Sequence, residues 1–225
     1  MIIKSKGIVL SYIKYGDTSI IARIFTETHG YGSFIVNSVR SQRSKKSIGH
    51  FQPFSILDLV LYFKDARELQ RISEFKNQIP LHSLHSDFTK SAITLFLTEV
   101  FSKLLQQEQS PNQSLYAFTE ASICTLDTLE SGLSNFHIQF LLKLAPYLGF
   151  EIESAENMFS SMDKLVPNTD GHELLQKLLS DPYGAVYNLN KEIRYQMIES
   201  ILHFYQHHAQ ISWPKSLQVL RSVLN

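Results

Sequence analysis

The chain has 225 residues, with 21 Lys and Arg balanced by 21 Asp and Glu, one cysteine, 44% apolar residues and 12% aromatic residues. This composition excludes a polyelectrolyte or wholly disordered chain and suffices for one large or two small domains. The single Cys124 excludes an intramolecular disulfide and a four-cysteine zinc site. No apolar run approaches the roughly 18 residues of a membrane-spanning helix. Ile8-Val9-Leu10, behind Lys4 and Lys6, is too short for the apolar core of a signal peptide. The expectation is a soluble, intracellular protein.

The first 80 residues read as strands. Met1 to Tyr15 alternates, with Ile2, Ile8, Leu10 and Tyr12 on one side and Lys4, Lys6 and Lys14 in the same phase. Thr18–Phe25 and Tyr31–Val39 are rich in β-branched and aromatic residues. Phe54–Phe63 places Leu57, Leu59, Leu61 and Phe63 on one face and Phe54, Ile56, Val60 and Tyr62 on the other, which predicts a strand largely buried on both sides. Leu69–Phe75 makes a fifth. Breaks fall at Tyr15-Gly16-Asp17, His29-Gly30-Tyr31-Gly32, the segment after Arg40, and Lys64-Asp65-Ala66. Five short strands over this length suit a small closed barrel, which removes exposed edges; the OB-fold is the leading candidate.

After Pro80 the pattern becomes helical. Ser86 to Gln107 carries apolar residues near helical spacing and stops at Ser110-Pro111. Asn112 can cap a second helix that Gly132 stops, and a third runs from about Ser134 to Leu148, ending at Gly149. Residues 150–170 have no clear period and form an acidic connector. Short helices follow at His172–Leu179 and after Trp213-Pro214, with a long one between them near Lys191–Ala209. The expected fold class is α+β in two domains: residues 1–80 as an N-terminal OB-fold β-barrel and 81–225 as a C-terminal α-helical bundle.

Divided after Pro80, the zero net charge separates. Residues 1–80 hold 12 Lys and Arg against 6 Asp and Glu, whereas residues 81–225 hold 9 against 15. From Thr28 to Leu57 there is no acid, and the window contains Arg40-Ser-Gln-Arg43-Ser-Lys45-Lys46. Such a cluster can follow a phosphate backbone, or it can be a solvated surface loop. A barrel of this kind binds single strands with a cationic groove and aromatic stacking surfaces. The candidate DNA-binding cations are Lys4, Lys6, Lys14, Arg23, Arg40, Arg43, Lys45, Lys46, Arg67 and Arg71; Tyr12, Tyr15, Tyr31 and Phe51 are candidate platforms, or else barrel packing.

No catalytic constellation stands out. The phosphate-loop, nucleophile-elbow, zinc-protease and dinucleotide fingerprints are all missing from the sequence. Gly30-Tyr-Gly32 reads as a turn between strands. Glu199, His203 and His207 share a helix face, but one helix cannot complete a zinc shell. Cys124 lies among apolar helix residues, as a buried small hydrophobe does. The expectation is a non-enzyme with no cofactor, no metal and no catalytic residue.

Several segments resemble the RecO family of bacterial DNA-repair proteins. They are Lys6-Gly7-Ile8-Val9-Leu10, Tyr15-Gly16-Asp17, Phe25-Thr26, His29-Gly30, Arg40, Lys46-Ser47 and Gln52-Pro53-Phe54. Phe140 to Phe150 and Pro214 to Leu220 are similar to the family's later segments. Asp17 stands where Glu is usual, Phe51 where Leu is usual, and Asn37-Ser38-Val39-Arg40 where a glycine often precedes the Arg. The four-cysteine module that many members carry after the Leu148-Gly149-Phe150 segment is missing: Glu151 to Pro167 holds no cysteine. The resemblance implies an OB-fold domain and a helical domain. It also implies a cytoplasmic, nucleoid-associated recombination mediator that binds single- and double-stranded DNA and anneals complementary strands. The implied partners are RecR, the RecA recombinase pathway and the acidic C-terminal tail of SSB, with no membrane. The tail would dock on the helical part, where Lys90, Lys103, Lys143, Lys164, Lys177, Lys191, Arg194, Lys215 and Arg221 are the available cations. Two rival readings are an interaction adaptor working through its acidic helical domain, and a hydrolase using the His203–His207 face.

Overall fold

The structure is a computed structural model and describes residues 1–41, 47–64, 67–107, 110–150, 171–187 and 189–224. Five strands come first: β1 (Ile2–Tyr15), β2 (Ser19–Thr26), β3 (Gly30–Val36), β4 (Ile56–Tyr62) and β5 (Leu69–Asn77). They close a barrel in the order β1-β2-β3-β5-β4, in which only β3 and β5 run parallel. This is the expected OB-type barrel. Its interior is filled by Val9, Ile20, Ala22, Ile24, Phe34, Val36, Phe51, Leu57, Leu59, Leu61 and Ile72.

Closure depends on β1 serving two partners. Its first half pairs with β4 and its second half with β2, with a register shift between Val9 and Ser11. The extra residue, Leu10, bends the strand and resets its alternation. The single phase expected from Ile2 to Tyr12 is therefore corrected: Ile8 and Leu10 are buried, but Ile2 and Tyr12 are exposed. At the changeover sits Gly7, where a Cβ would lie 2.6 Å from Leu59 Cδ1 and 2.7 Å from Ile24 Cγ2. Any side chain there would collide with the barrel core.

The helices are α1 (Phe88–Leu105), α2 (Gln113–Thr128), α3 (Leu133–Leu144), α4 (Gly171–Ser180), α5 (Lys191–Ala209) and α6 (Leu217–Val223). Asp87, Asn112 and Asn190 cap α1, α2 and α5, each accepting a backbone N–H from three residues on. Two expectations change. Gly132 does not stop α2, which ends at Thr128; it opens α3 at φ 71°, where its close approach to Gly184 leaves no room for a Cβ. The single helix expected to Leu148 becomes 3-10 over Ala145–Leu148, because Pro146 has no N–H to donate to the α-helical ladder. Gly149 then terminates it at φ 79°, as expected. The acidic connector, apart from Phe150, lies outside the described residues.

The outer face of the barrel joins the helical core. Ile8, Leu10, Phe25, Phe54 and Ile56 pack in one cluster with residues of all six helices. This covers only the first part of β4's second face. Asp58 and Val60 are half-buried and Tyr62 is 46% exposed, so burial on both sides of that strand holds for one end only. Among the described residues of the β3–β4 connection, two non-glycine residues have positive φ, Ser38 (64°) and Phe54 (63°). Ser38 occupies the position where the resemblance expects glycine. A left-handed conformation costs an L-residue about 1–2 kcal/mol, part of which glycine returns as chain entropy. Ser38→Gly is expected to stabilise the protein by about 0.5–1 kcal/mol in a urea titration; a loss of stability would contradict this backbone geometry.

Candidate nucleic-acid interface

Strand partners share a face, so the register defines rows of outward side chains. One row runs from Ile13 to Ile21, Ile35, Arg71, Tyr62 and finally Ile2, winding from the end of β1 round to its beginning. Ile13 is 63% exposed, Ile2 62% and Tyr62 46%. Contiguous apolar surface of this kind marks a contact face. The Arg71 guanidinium lies 5.9 Å from the centre of the Tyr62 ring, within cation–π range. The adjacent row is Ser11, Arg23, Ser33 and Leu69, with Arg23 and Leu69 exposed. Neither row holds an acid.

Two loops border this face. Lys64 and Arg67 of the β4–β5 connection and Arg71 of β5 line a groove of about 390 Å³ with Ile35, Tyr62 and Leu69. Gln70 shapes that loop. Its buried amide accepts the Lys64 N–H at 2.9 Å and donates to the carbonyls of Lys64 (2.8 Å) and Arg67 (2.5 Å). At the β1–β2 turn, Lys14 and Tyr15 are exposed. Arg40 is fastened to this turn: its backbone N–H donates to Thr18, and its guanidinium donates to the carbonyls of Gly16 (3.1 Å) and Ser19 (3.4 Å). It therefore holds the start of the basic segment against the turn. Arg43, Lys45 and Lys46 lie outside the described residues.

The remaining candidates are separated from this face or spent elsewhere. Lys4 and Lys6 project beside Val60 and Asp58, in a groove they share with Glu27, Asp58, Glu74 and Lys76. Lys6 is 3.7 Å from Glu120 of α2, so this surface is electrostatically mixed. Of the proposed platforms, Phe51 is fully buried in the barrel core and cannot stack on a ligand. Tyr31 is half-buried, with its hydroxyl 3.4 Å from Ser102 Oγ. Tyr12 and Tyr15 remain exposed. The sequence reading missed Ile13, Tyr62, Lys64 and Leu69. Tyr62 carried a signal, since it continues the face that Asp58 interrupts.

Most cations of the helical part are committed. Lys90 is buried and donates to Ser83 Oγ and the Asp127 carbonyl, both at 2.7 Å. Lys103 pairs with Glu99 at 2.8 Å, Lys177 with Glu173 at 2.5 Å and Arg221 with Glu199. Lys143 donates to the Asp181 carbonyl, Arg194 to that of Leu189, and Lys191 lies 5.5 Å over the Tyr195 ring. Lys164 lies outside the described residues. Lys215 is exposed between Trp213 and Val219, which are 38% and 44% exposed.

Among the described residues, the side chains considered for catalysis have other partners. Glu199 is engaged by Arg221, His203 stacks near Trp213 at 5.0 Å, and His207 contacts His208. Among the described residues no three His, Cys, Asp or Glu are grouped to hold a metal ion. Burial, with the charges of Glu120 and Asp127, pushes the Cys124 thiol up, away from thiolate reactivity. No described helix is long and apolar enough to cross a membrane.

Both parts of the chain have known relatives. Residues 1–77 match the family described as Recombination protein O N terminal, and residues 85–160 match Recombination protein O C terminal. The DNA repair protein RecO of Flavobacterium psychrophilum is 31% identical over the whole of both chains, and that of Flavobacterium johnsoniae is 32% identical over the same extent. The DNA repair protein RecO of Bacteroides fragilis is 38% identical over 149 residues, covering 66% of this chain and 61% of its own.

Proposed function

Because the chain belongs to the recombination protein O family of DNA-repair proteins, we propose that it binds single- and double-stranded DNA on the outer face of its barrel and anneals complementary strands. One observation carries this reading. An acid-free outward row, with exposed Ile13 and Tyr62, half-buried Ile21 and Ile35, and Arg71 among them, is flanked by Arg23, Lys64 and Arg67. Bases stack on apolar and aromatic surface while cations neutralise phosphates and release counterions, a mode tolerant of sequence. Annealing needs no covalent step: two strands are held close while their repulsion is screened.

The test is to reverse Arg23, Arg67 and Arg71 together to Glu and titrate labelled single strands at several salt concentrations. Each lost phosphate contact should flatten the salt slope by about 0.7–0.9, and affinity should fall by about 100-fold at ~50 mM salt. An unchanged curve would move the interface elsewhere. A wild-type protein that binds no DNA even at low salt would leave the adaptor reading in its place. The mediator roles implied by the resemblance follow from the same reading: loading of a RecA-type recombinase with RecR, on SSB-coated DNA in the nucleoid. For the acidic SSB tail, the helical surface with the best chemistry is Lys215 between exposed Trp213 and Val219.

A further inference from the structure

Tyr62 of β4 and Arg71 of β5 are direct partners across their ladder, and the next pair, Leu61 and Ile72, fills the barrel interior. Alternation therefore puts the Tyr62 ring and the Arg71 guanidinium on the same outward face, where they lie 5.9 Å apart. Arg71 also pairs with Ile35 of β3. Ile35 and Leu69 complete the apolar lining of the groove of about 390 Å³, Lys64 and Arg67 its charged lining, and no described acid lines it. Past the register shift between Val60 and Leu61, Val60 faces Glu74 and Asp58 faces Lys76, so along these strands the acids begin beyond the bulge. Lys64, Arg67 and Arg71 enter no ion pair among the described residues. The buried Gln70 amide, bonded to the backbone of Lys64 and Arg67, fixes the loop that carries two of these cations.

We propose that this groove takes one unstacked nucleobase from a single strand, held between the Tyr62 ring and the Arg71 guanidinium plane, with Lys64 and Arg67 on the flanking phosphates. The inference rests on the DNA-binding reading above and adds to it a site that tells single from double strands. Aromatic rings and guanidinium planes both stack on bases. Direct stacking of one on the other would bring them to about 3.4 Å, whereas a base between them needs twice that, about 7 Å. The 5.9 Å from guanidinium to ring centre is about 1 Å short of the second arrangement, and rotation of the exposed Arg71 side chain supplies the difference. Tyr62 is 46% exposed, so its ring is open to a ligand. Bases paired inside a duplex present no free face and cannot enter, which leaves duplexes the phosphate contacts alone. Pairing with a complementary strand withdraws the base, so annealing empties the slot.

The test uses the full chain and single strands carrying 2-aminopurine, whose fluorescence reports stacking. Wild type should change that fluorescence on binding. Tyr62→Ser should lose the change and weaken single-strand binding by about 5- to 100-fold, with duplex affinity unaltered. Tyr62→Phe, which keeps the ring, should bind as wild type does. Arg71→Lys keeps the charge but not the plane: the salt slope should hold while the fluorescence change is lost. Thermal melts monitored by circular dichroism check that each variant folds. A lysine that replaces Arg71 without loss would make it a phosphate contact only and overturn the slot. So would a Tyr62→Ser variant that binds single strands like wild type, or that weakens single and double strands equally. The joint exchange of Arg23, Arg67 and Arg71 to Glu decides the barrel interface by itself, so the slot can fall while that interface stands. A wild type that binds no single strand at ~50 mM salt removes both.

Discussion

Asp127→Ala is expected to lose about 3–5 kcal/mol of stability, measured as a lower urea midpoint at unchanged slope. The Asp127 carboxylate accepts the backbone N–H groups of His82, Ser83 and Leu84 at 2.9, 2.8 and 2.7 Å. These donors lie in the stretch that carries the chain from the barrel to α1. Its own carbonyl accepts from Lys90 Nζ and Ser83 Oγ, and Lys90 is 6% exposed. Removing the carboxylate strands three amide donors and leaves a buried ammonium without a counter-charge. The carboxyl itself titrates below its usual range: burial raises it, but the three backbone donors and Lys90 outweigh that. Its contribution is thus complete above the unfolded value near 3.8 and is lost as pH falls below it. A variant as stable as wild type would show that this clamp does not hold the connection. Asp127→Asn, which keeps one acceptor oxygen, should fall between the two.

A second loss of stability is expected on acidification, and it begins higher. His137 of α3 is 3% exposed, lies edge-on to Phe96 at 6.1 Å, and its buried Nδ1 has no partner. Burial, with a smaller contribution from Arg194, lowers its pKa from 6.5 to about 3. The unfolded chain therefore binds a proton that the native protein refuses. Stability is complete above 6.5 and declines as pH falls from 6.5 toward 3, by up to about 1.4 kcal/mol per pH unit. Summed over that window, the loss is on the order of 5 kcal/mol. Glu99 acts in the same direction only lower. Burial raises it, but bonds from Lys103, Ser216 and Lys215 bring it from 4.5 to about 2. Urea titrations between pH 7 and 5 isolate the histidine. His137→Phe should flatten the slope there, and an unchanged slope would assign the proton uptake to another group.

Much of the fold was legible because burial imposes periodicity. Leu57, Leu59 and Leu61 alternate because one face of β4 lines a barrel, and the caps Asp87, Asn112 and Asn190 announce their helices because orphan N–H groups need acceptors. The candidate interface was legible only in part. Arg23, Arg67 and Arg71 were identified as cations, but nothing local says that the last shares a row with Ile13, more than fifty residues away. Tyr62 read as core because one strand's alternation cannot reveal where its cover stops. Phe51 read as a platform because aromatic character is the same on a surface and in a core.

By itself the sequence determined the barrel-then-helices order, the basic character of the first part and the family, since these follow from local pattern, composition and motif order. Tertiary structure decided which charges are available. Lys90, Lys103 and Arg221 are spent on internal partners, Lys6 faces Glu120, Arg40 braces a turn, and Arg23 and Arg71 are left on an acid-free face. A cation's availability depends on what lies within a few ångströms of it, and closing the barrel sets those neighbours.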